Sequence, residues 1–151
     1  LRNADLSNAI LLGANLQSAD LRGADLSNAN LEQAKLRGAN LQEAKLSGAY
    51  LSGAYLGAAD LSGADMRDAQ LYNVDLTEAF LGKANLNNAD LRQAKLIRAD
   101  LSESNLIRAD MSRSNLSAAT LMGADLRLGL LNNVQFCNTT MPNGEVSYDD
   151  C

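Results

Sequence analysis

Side chains able to do chemistry are few in this chain, and their spacing argues against an active site. The 151 residues contain two cysteines and no histidine. Without His there is no Ser-His or Cys-His pair to make a nucleophile, and Cys137 and Cys151 lie too far apart for the spacing of paired metal ligands. Ser104 and Ser114 recur ten residues apart, but each occupies a slot where Ala is otherwise the rule. A hydroxyl there is expected to be satisfied by a neighbouring carbonyl rather than to attack a substrate. The chain has 18 Asp and Glu residues, which could supply paired carboxylates for general acid–base work. The glycines precede no helix, so they form no phosphate-cradling loop. These observations predict a protein that is not an enzyme and that holds no cofactor and no metal.

The elements that carry these residues follow from a period of five. Every fifth residue from Leu1 to Met141 is large and apolar, 29 positions in unbroken register, with only Met66, Met111, Phe136 and Met141 replacing Leu. Two residues before each stands a small residue, Ala at 22 of 28 positions, with Val74, Ser104, Ser114, Gly129, Val134 and Thr139 as exceptions. On an α-helix, Leu at every fifth position walks round the axis and makes no stripe. On a continuous strand the Leu shares a face with the Ala before it, but the next Ala, three residues on, has switched sides. Ala and Leu favour helix by propensity, yet periodicity is the stronger signal. Every Ala and every Leu can point inward if the chain turns a corner once per pentapeptide and coils around a Leu-filled axis. That is a β-solenoid.

The pattern Ala-(Asp/Asn)-Leu-x-x, as in Ala19-Asp20-Leu21, Ala39-Asn40-Leu41 and Ala99-Asp100-Leu101, resembles that of the pentapeptide-repeat proteins. The likeness runs over residues 1–141. It implies an all-β fold, a right-handed quadrilateral β-helix with four pentapeptides to a coil; the periodicity alone accommodates three sides as readily as four. At 20 residues per coil, residues 1–141 make about seven coils, a rod roughly 34 Å long at the usual spacing between strands. The division expected is a β-helix over 1–141 and a C-terminal cap over 142–151.

Each outward position has a structural reading. The residue before each Leu is mostly Asp or Asn, as at Asp20, Asp25, Asn30 and Asn40, types that hydrogen-bond local backbone at turns. Gly13, Gly23, Gly38, Gly48, Gly53 and Gly63 fall two residues after a Leu, where a tight corner calls for positive φ. With 20 residues per coil, Lys83 lies over Glu103, Glu78 over Arg98 and Tyr72 over Arg92. Carboxylates arrayed on a convex rod have no cleft to desolvate them, which again counts against catalysis.

The repeat ends at Thr139-Thr140-Met141-Pro142-Asn143-Gly144. Pro142 removes a donor and Asn143-Gly144 is a turn signal, so the chain is expected to leave the ladder and fold back. Cys137 and Cys151 both belong to this cap, and their isolation there favours a disulfide over two free thiols in a reducing cytosol. Such a bond implies an oxidising compartment. Small uninterrupted members of the family resembling this chain are those of cyanobacteria and plastids, so the expected location is thylakoid lumen or periplasm, with cytoplasm as the alternative.

No run of 18 apolar residues exists, so no membrane span is expected. The chain opens at Leu1 inside a repeat and without Met, which predicts either a removed leader or a trimmed terminus. Its first coil has no evident cap, so its Leu residues and strand edges invite end-to-end self-association.

Function narrows to a structural or protein-binding solenoid. The family resemblance also offers a DNA-mimicking ligand of topoisomerase (gyrase). Charge opposes that alternative: residues 1–141 hold 13 basic and 15 acidic side chains, a net of −2. A mimic of duplex DNA of this length needs roughly twenty net negative charges. The same near-neutral surface gives no footprint for nucleic acid. Ile10, Leu12, Tyr50 and Tyr72 all border one Leu column and replace polar residues the repeat prefers, which marks that side as the candidate face for a protein partner. Tyr55 and Phe80 fall on other sides and add only scattered apolar surface.

Overall fold

A computed structural model describes residues 1–149 and 151. The chain winds as a β-helix in which each pentapeptide repeats one local structure. Its Leu begins a corner whose Ala N–H, three residues on, closes back on the Leu carbonyl, as in Ala24 N to Leu21 O at 3.0 Å. The next residue pairs with a neighbouring coil through a parallel bridge. Among the described residues there are 24 such bridges, from Asp5↔Asp25 to Thr120↔Thr140, each joining residues 20 apart. Four pentapeptides therefore make one coil. Among the described residues there is no helix, and the two named strands both lie at the C-terminal end.

Each repeat satisfies its own backbone. Around Leu26, three N–H groups reach along the axis: Asp25 to the Ala4 carbonyl at 2.9 Å, Leu26 to Lys45 at 2.7 Å and Asn28 to Ser47 at 3.0 Å. The Asn28 bond needs the corner to enter the left-handed region, where φ is +54°. All 28 equivalent positions from Asn3 to Asn138 take positive φ, and at 21 of them the residue is not Gly. Glycine is thus permitted at the corner rather than required. With positive φ only at its second central residue, each corner has the sign pattern of a type II turn.

The interior is two-toned. Leu and Ala from residues 21 to 121 are almost wholly removed from solvent, with Met66 and Met111 seated in the same columns. Leu6, Leu11 and Leu16 in the first coil, and Leu126, Leu131 and Phe136 in the last, are only partly covered. Each apolar side chain gains most of its burial from the coils above and below, so stability is shared along the stack.

The two inward serines differ. Ser104 Oγ donates to the Leu101 carbonyl at 2.7 Å, as its slot predicts. Ser114 Oγ is buried and has no partner among the described residues, contrary to expectation. Thr139, in the same kind of slot, donates to the Leu116 carbonyl at 2.7 Å.

The last coil closes through a hairpin. Strand β1 (Thr139–Thr140) pairs antiparallel with β2 (Val146–Ser147), in the register Thr139↔Ser147 and Thr140↔Val146. The reversal runs through Asn143-Gly144, with Gly144 at φ +85°. Pro142 remains part of the ladder on its acceptor side, because its carbonyl receives the Gly123 N–H at 3.0 Å.

Candidate interaction surface

Three of the five N–H groups in a repeat bond to adjacent coils and one closes the corner, which leaves the residue after Leu without a backbone acceptor. The side chain before Leu supplies it. At all 16 positions where that residue is Asp or Asn, its Oδ1 accepts the N–H two residues on, from Asp5 with Ser7 at 3.1 Å to Asp125 with Arg127 at 3.1 Å. Thr120 does the same with its hydroxyl. The acidic columns are therefore corner braces.

Where Asp precedes the Leu or Met and Arg follows it, the brace becomes an ion pair. Arg22, Arg67, Arg92 and Arg127 each fold a guanidinium onto both oxygens of the Asp two residues earlier, with Nη2 to oxygen at 2.6 or 2.7 Å. This pairing is not anticipated from the stacking of coils; its signal in the sequence is the spacing Asp-x-Arg. The guanidinium holds the Asp65, Asp90 and Asp125 carboxyls below their ordinary range. The Ser7 and Ser27 hydroxyls do the same for Asp5 and Asp25.

The coil-to-coil contacts fall where the 20-residue count puts them. Lys83 meets Glu103 at 3.7 Å and Arg98 meets Glu78 at 3.3 Å. The Arg92 guanidinium lies 5.8 Å from the Tyr72 ring centre, and the Tyr72 hydroxyl donates to Gln93 Oε1 at 3.1 Å. Tyr72 is thus partly tied to its own rod.

Ile10 and Tyr50 lie two coils apart in one bridged column, with Asn30 between them. Leu12 and Tyr72 belong to the column across the same Leu row. Ile10 is 85% exposed and Leu12 58%, whereas each tyrosine is 41% exposed. Ile10 and Leu12 flank Leu11 in one coil, and Asn30, Glu32, Ser52 and Gln70 stand among the same two columns between them and Tyr50 and Tyr72. A shallow hollow of about 320 Å³ lies on another side, where Gly57 and Ala58 leave a dip between Arg37, Tyr55 and Glu78. At the C-terminal end, Cys137 and Cys151 are joined through their sulfurs, with Cα atoms 4.7 Å apart.

Residues 1–38, 39–77, 69–106 and 84–127 match the family model for pentapeptide repeats (8 copies). The chain belongs to the pentapeptide repeat family. Membership gives the β-helix its right hand. Among solved structures, it is similar to HetL of the cyanobacterium Nostoc sp. strain PCC 7120, a pentapeptide repeat protein involved in regulating heterocyst differentiation. That match has 34% identity and a TM-score of 0.63, over 97% of this chain and 76% of that one. A pentapeptide repeat protein of the Arabidopsis thaliana thylakoid lumen matches at 27% identity and a TM-score of 0.52, over 68% of each chain. QnrB1, a plasmid-mediated fluoroquinolone resistance protein, matches at 18% identity and a TM-score of 0.51, over 91% of this chain and 71% of that one; this likeness shows the fold alone. No curated protein matches the sequence. Pentapeptide repeat proteins are generally structural or binding proteins, and no helix described in this one is long and apolar enough to cross a membrane.

Proposed function

We propose that this chain is a non-enzymatic, protein-binding solenoid. The observation that carries the reading is the use of its carboxylates. Every Asp in the column before Leu braces a corner N–H, and the perturbed carboxyls are shifted downward, the opposite of what a general acid at neutral pH requires. The Asp side chains of that column are committed to holding the rod, which leaves its sides as the functional surface. Residues 1–141 are read as about seven coils and residues 142–151 as their cap.

The side bearing Ile10, Leu12, Tyr50 and Tyr72 is the face for a protein partner. Its support is the exposure of four apolar residues at positions where the repeat prefers polar ones. The test is capture from a native extract with the wild-type rod and with Tyr50→Ser combined with Tyr72→Ser. The reading expects one specific partner to be lost in the double variant while the circular dichroism spectrum is unchanged. A variant that captures the partner equally well removes this side as the site. The rod charge of −2 counts against a mimic of duplex DNA.

Thylakoid lumen or periplasm is the proposed location. It is supported by the bonded Cys137–Cys151 pair and by the likeness to a lumenal protein. Thiol titration of unreduced protein isolated from its source checks the compartment: no free thiol is expected, and two would remove the argument.

A further inference from the structure

The side that carries Lys35, Tyr55, Asp75 and Lys95 differs from the other three in charge. Its columns run Lys35↔Tyr55↔Asp75↔Lys95↔Asn115↔Gln135 by direct bridges, with Arg37, Glu78, Arg98 and Cys137 beside Lys35, Asp75, Lys95 and Gln135 respectively. It holds four basic and two acidic residues, a net of +2 on a rod whose other sides are each net negative. Lys35, Arg37 and Lys95 make no ion pair among the described residues. The cap is anchored at the top of this same side. Asp149 is two residues from Cys151, which is bonded to Cys137 in the Arg37 column. Residues 142–151 contain acidic residues and no Lys or Arg.

Upward by coil, the order is cationic at Lys35 and Arg37, aromatic at Tyr55, anionic at Asp75 and Glu78, cationic at Lys95 and Arg98, small and neutral at Asn115 and Ala118, then neutral at Gln135 and Cys137. At its centre, Asp75 and Glu78 beside Lys95 and Arg98, that order is its own complement when reversed. A second rod laid antiparallel, related by a two-fold axis in the plane of contact, keeps each column opposite itself and inverts only the coil order. With the axis midway between Asp75 and Lys95, Asp75 faces Lys95 and Glu78 faces Arg98 of the other copy. Tyr55 faces the short Asn115, and Lys35 and Arg37 face Gln135 and Cys137, where the disulfide anchors the cap. We propose that this side is a self-complementary docking surface for a second copy of the chain, bound antiparallel about that axis.

The contact is small. Six overlapping coils at about 4.8 Å, on a side roughly 15 Å wide, give on the order of 430 Å² per copy, which belongs to the weak, transient class. Electrostatic order sets its register, so it is sensitive to salt.

The experiment is sedimentation equilibrium of the whole chain at roughly 0.5 mM in about 20 mM salt, where the screening length is near 20 Å. The wild-type mass is expected to move from 16.0 kDa toward twice that value, and to return to the monomer value in molar salt. Asp75→Lys alone sets cation against cation across the axis, and Lys95→Asp alone sets anion against anion, so each is expected to remain monomeric. An equimolar mixture of the two variants restores both opposite-charge contacts and is expected to recover the doubled mass. Contacts within one chain cannot produce that rescue. A monomeric wild type overturns the proposal. So does a variant that dimerises alone as the wild type does, or a mixture that stays monomeric. Circular dichroism on each variant keeps misfolding from counting as either result.

Discussion

Asp90 holds Arg92 twice, once by its backbone and once by its side chain. Its Oδ1 accepts the Arg92 N–H at 3.1 Å and Nε at 2.8 Å, and its Oδ2 accepts Nη2 at 2.6 Å. The two functions separate by mutation. Asp90→Asn keeps the acceptor for the backbone N–H and loses only the ion pair, a partly exposed one, at an expected cost of about 0.5 kcal/mol. Asp90→Ala strips both and is expected to cost about 1–1.5 kcal/mol. Denaturant melts of the two variants read the difference. Equal losses would mean that the amide brace contributes nothing.

Acid titration checks the same pairs. The Asp65 and Asp90 carboxyls are held below the ordinary 3.8, first by the guanidinium bonds of Arg67 and Arg92. In the unfolded chain they return to the ordinary value. A depressed folded pKa contributes stability that is complete above the unfolded value and is lost as pH falls through the folded one. The melting temperature is therefore expected to hold its level down to pH 3.8 and to fall below it, as far as these groups contribute. Carboxyl carbon resonances of Asp65 and Asp90 should titrate with midpoints under 3.8; midpoints at or above that value would contradict the pairing.

Ser104 and Ser114 give opposite expectations from the same residue type. Ser104→Ala removes a hydroxyl bonded to the Leu101 carbonyl and is expected to cost about 1 kcal/mol. Ser114→Ala removes a buried hydroxyl with no partner and is expected to gain roughly 1 kcal/mol. Thermal melts of both variants decide the matter by sign. A loss at Ser114 comparable to that at Ser104 would show that its hydroxyl is satisfied.

Those serines also mark where reading the sequence stops. Leu101-Ser102-Glu103-Ser104 and Met111-Ser112-Arg113-Ser114 follow one local pattern, so no nearby residue foretells that only one hydroxyl finds a carbonyl. The period of five, by contrast, fixes inward and outward positions along the whole rod, because one misplaced Leu would expose its whole side chain. The number of residues per coil is less legible, since Leu and Ala recur every five residues whatever the number of sides. Only the bridges from Lys35 to Tyr55 to Asp75 settle which outward residues share a side. The Asp-x-Arg pairs lie between these cases. Their spacing is visible at Asp20-Leu21-Arg22, but the bidentate contact depends on the corner bringing the two side chains together.

Corner conformation gives the last expectation. Leu128 holds φ at +60° with 73% of its surface exposed, so it carries the cost of the left-handed region without much burial to offset it. Leu128→Gly relieves roughly 1–2 kcal/mol of steric cost and returns about 0.5–1 kcal/mol in chain entropy, for an expected gain of about 0.5–1 kcal/mol. Gly48→Ala runs the other way. Its φ is +65°, and an added Cβ would fall 2.5 Å from Asn28 Oδ1 in the coil below, so the alanine meets both strain and a side chain that must move. Gly13→Ala, at φ +64° with nothing within 4 Å of the new Cβ, isolates the conformational part. Denaturant melts are expected to rank Leu128→Gly above wild type, Gly13→Ala about 1 kcal/mol below it and Gly48→Ala lower still. If Gly48→Ala and Gly13→Ala lose the same amount, Asn28 yields freely and backbone strain alone sets the preference for Gly at that corner.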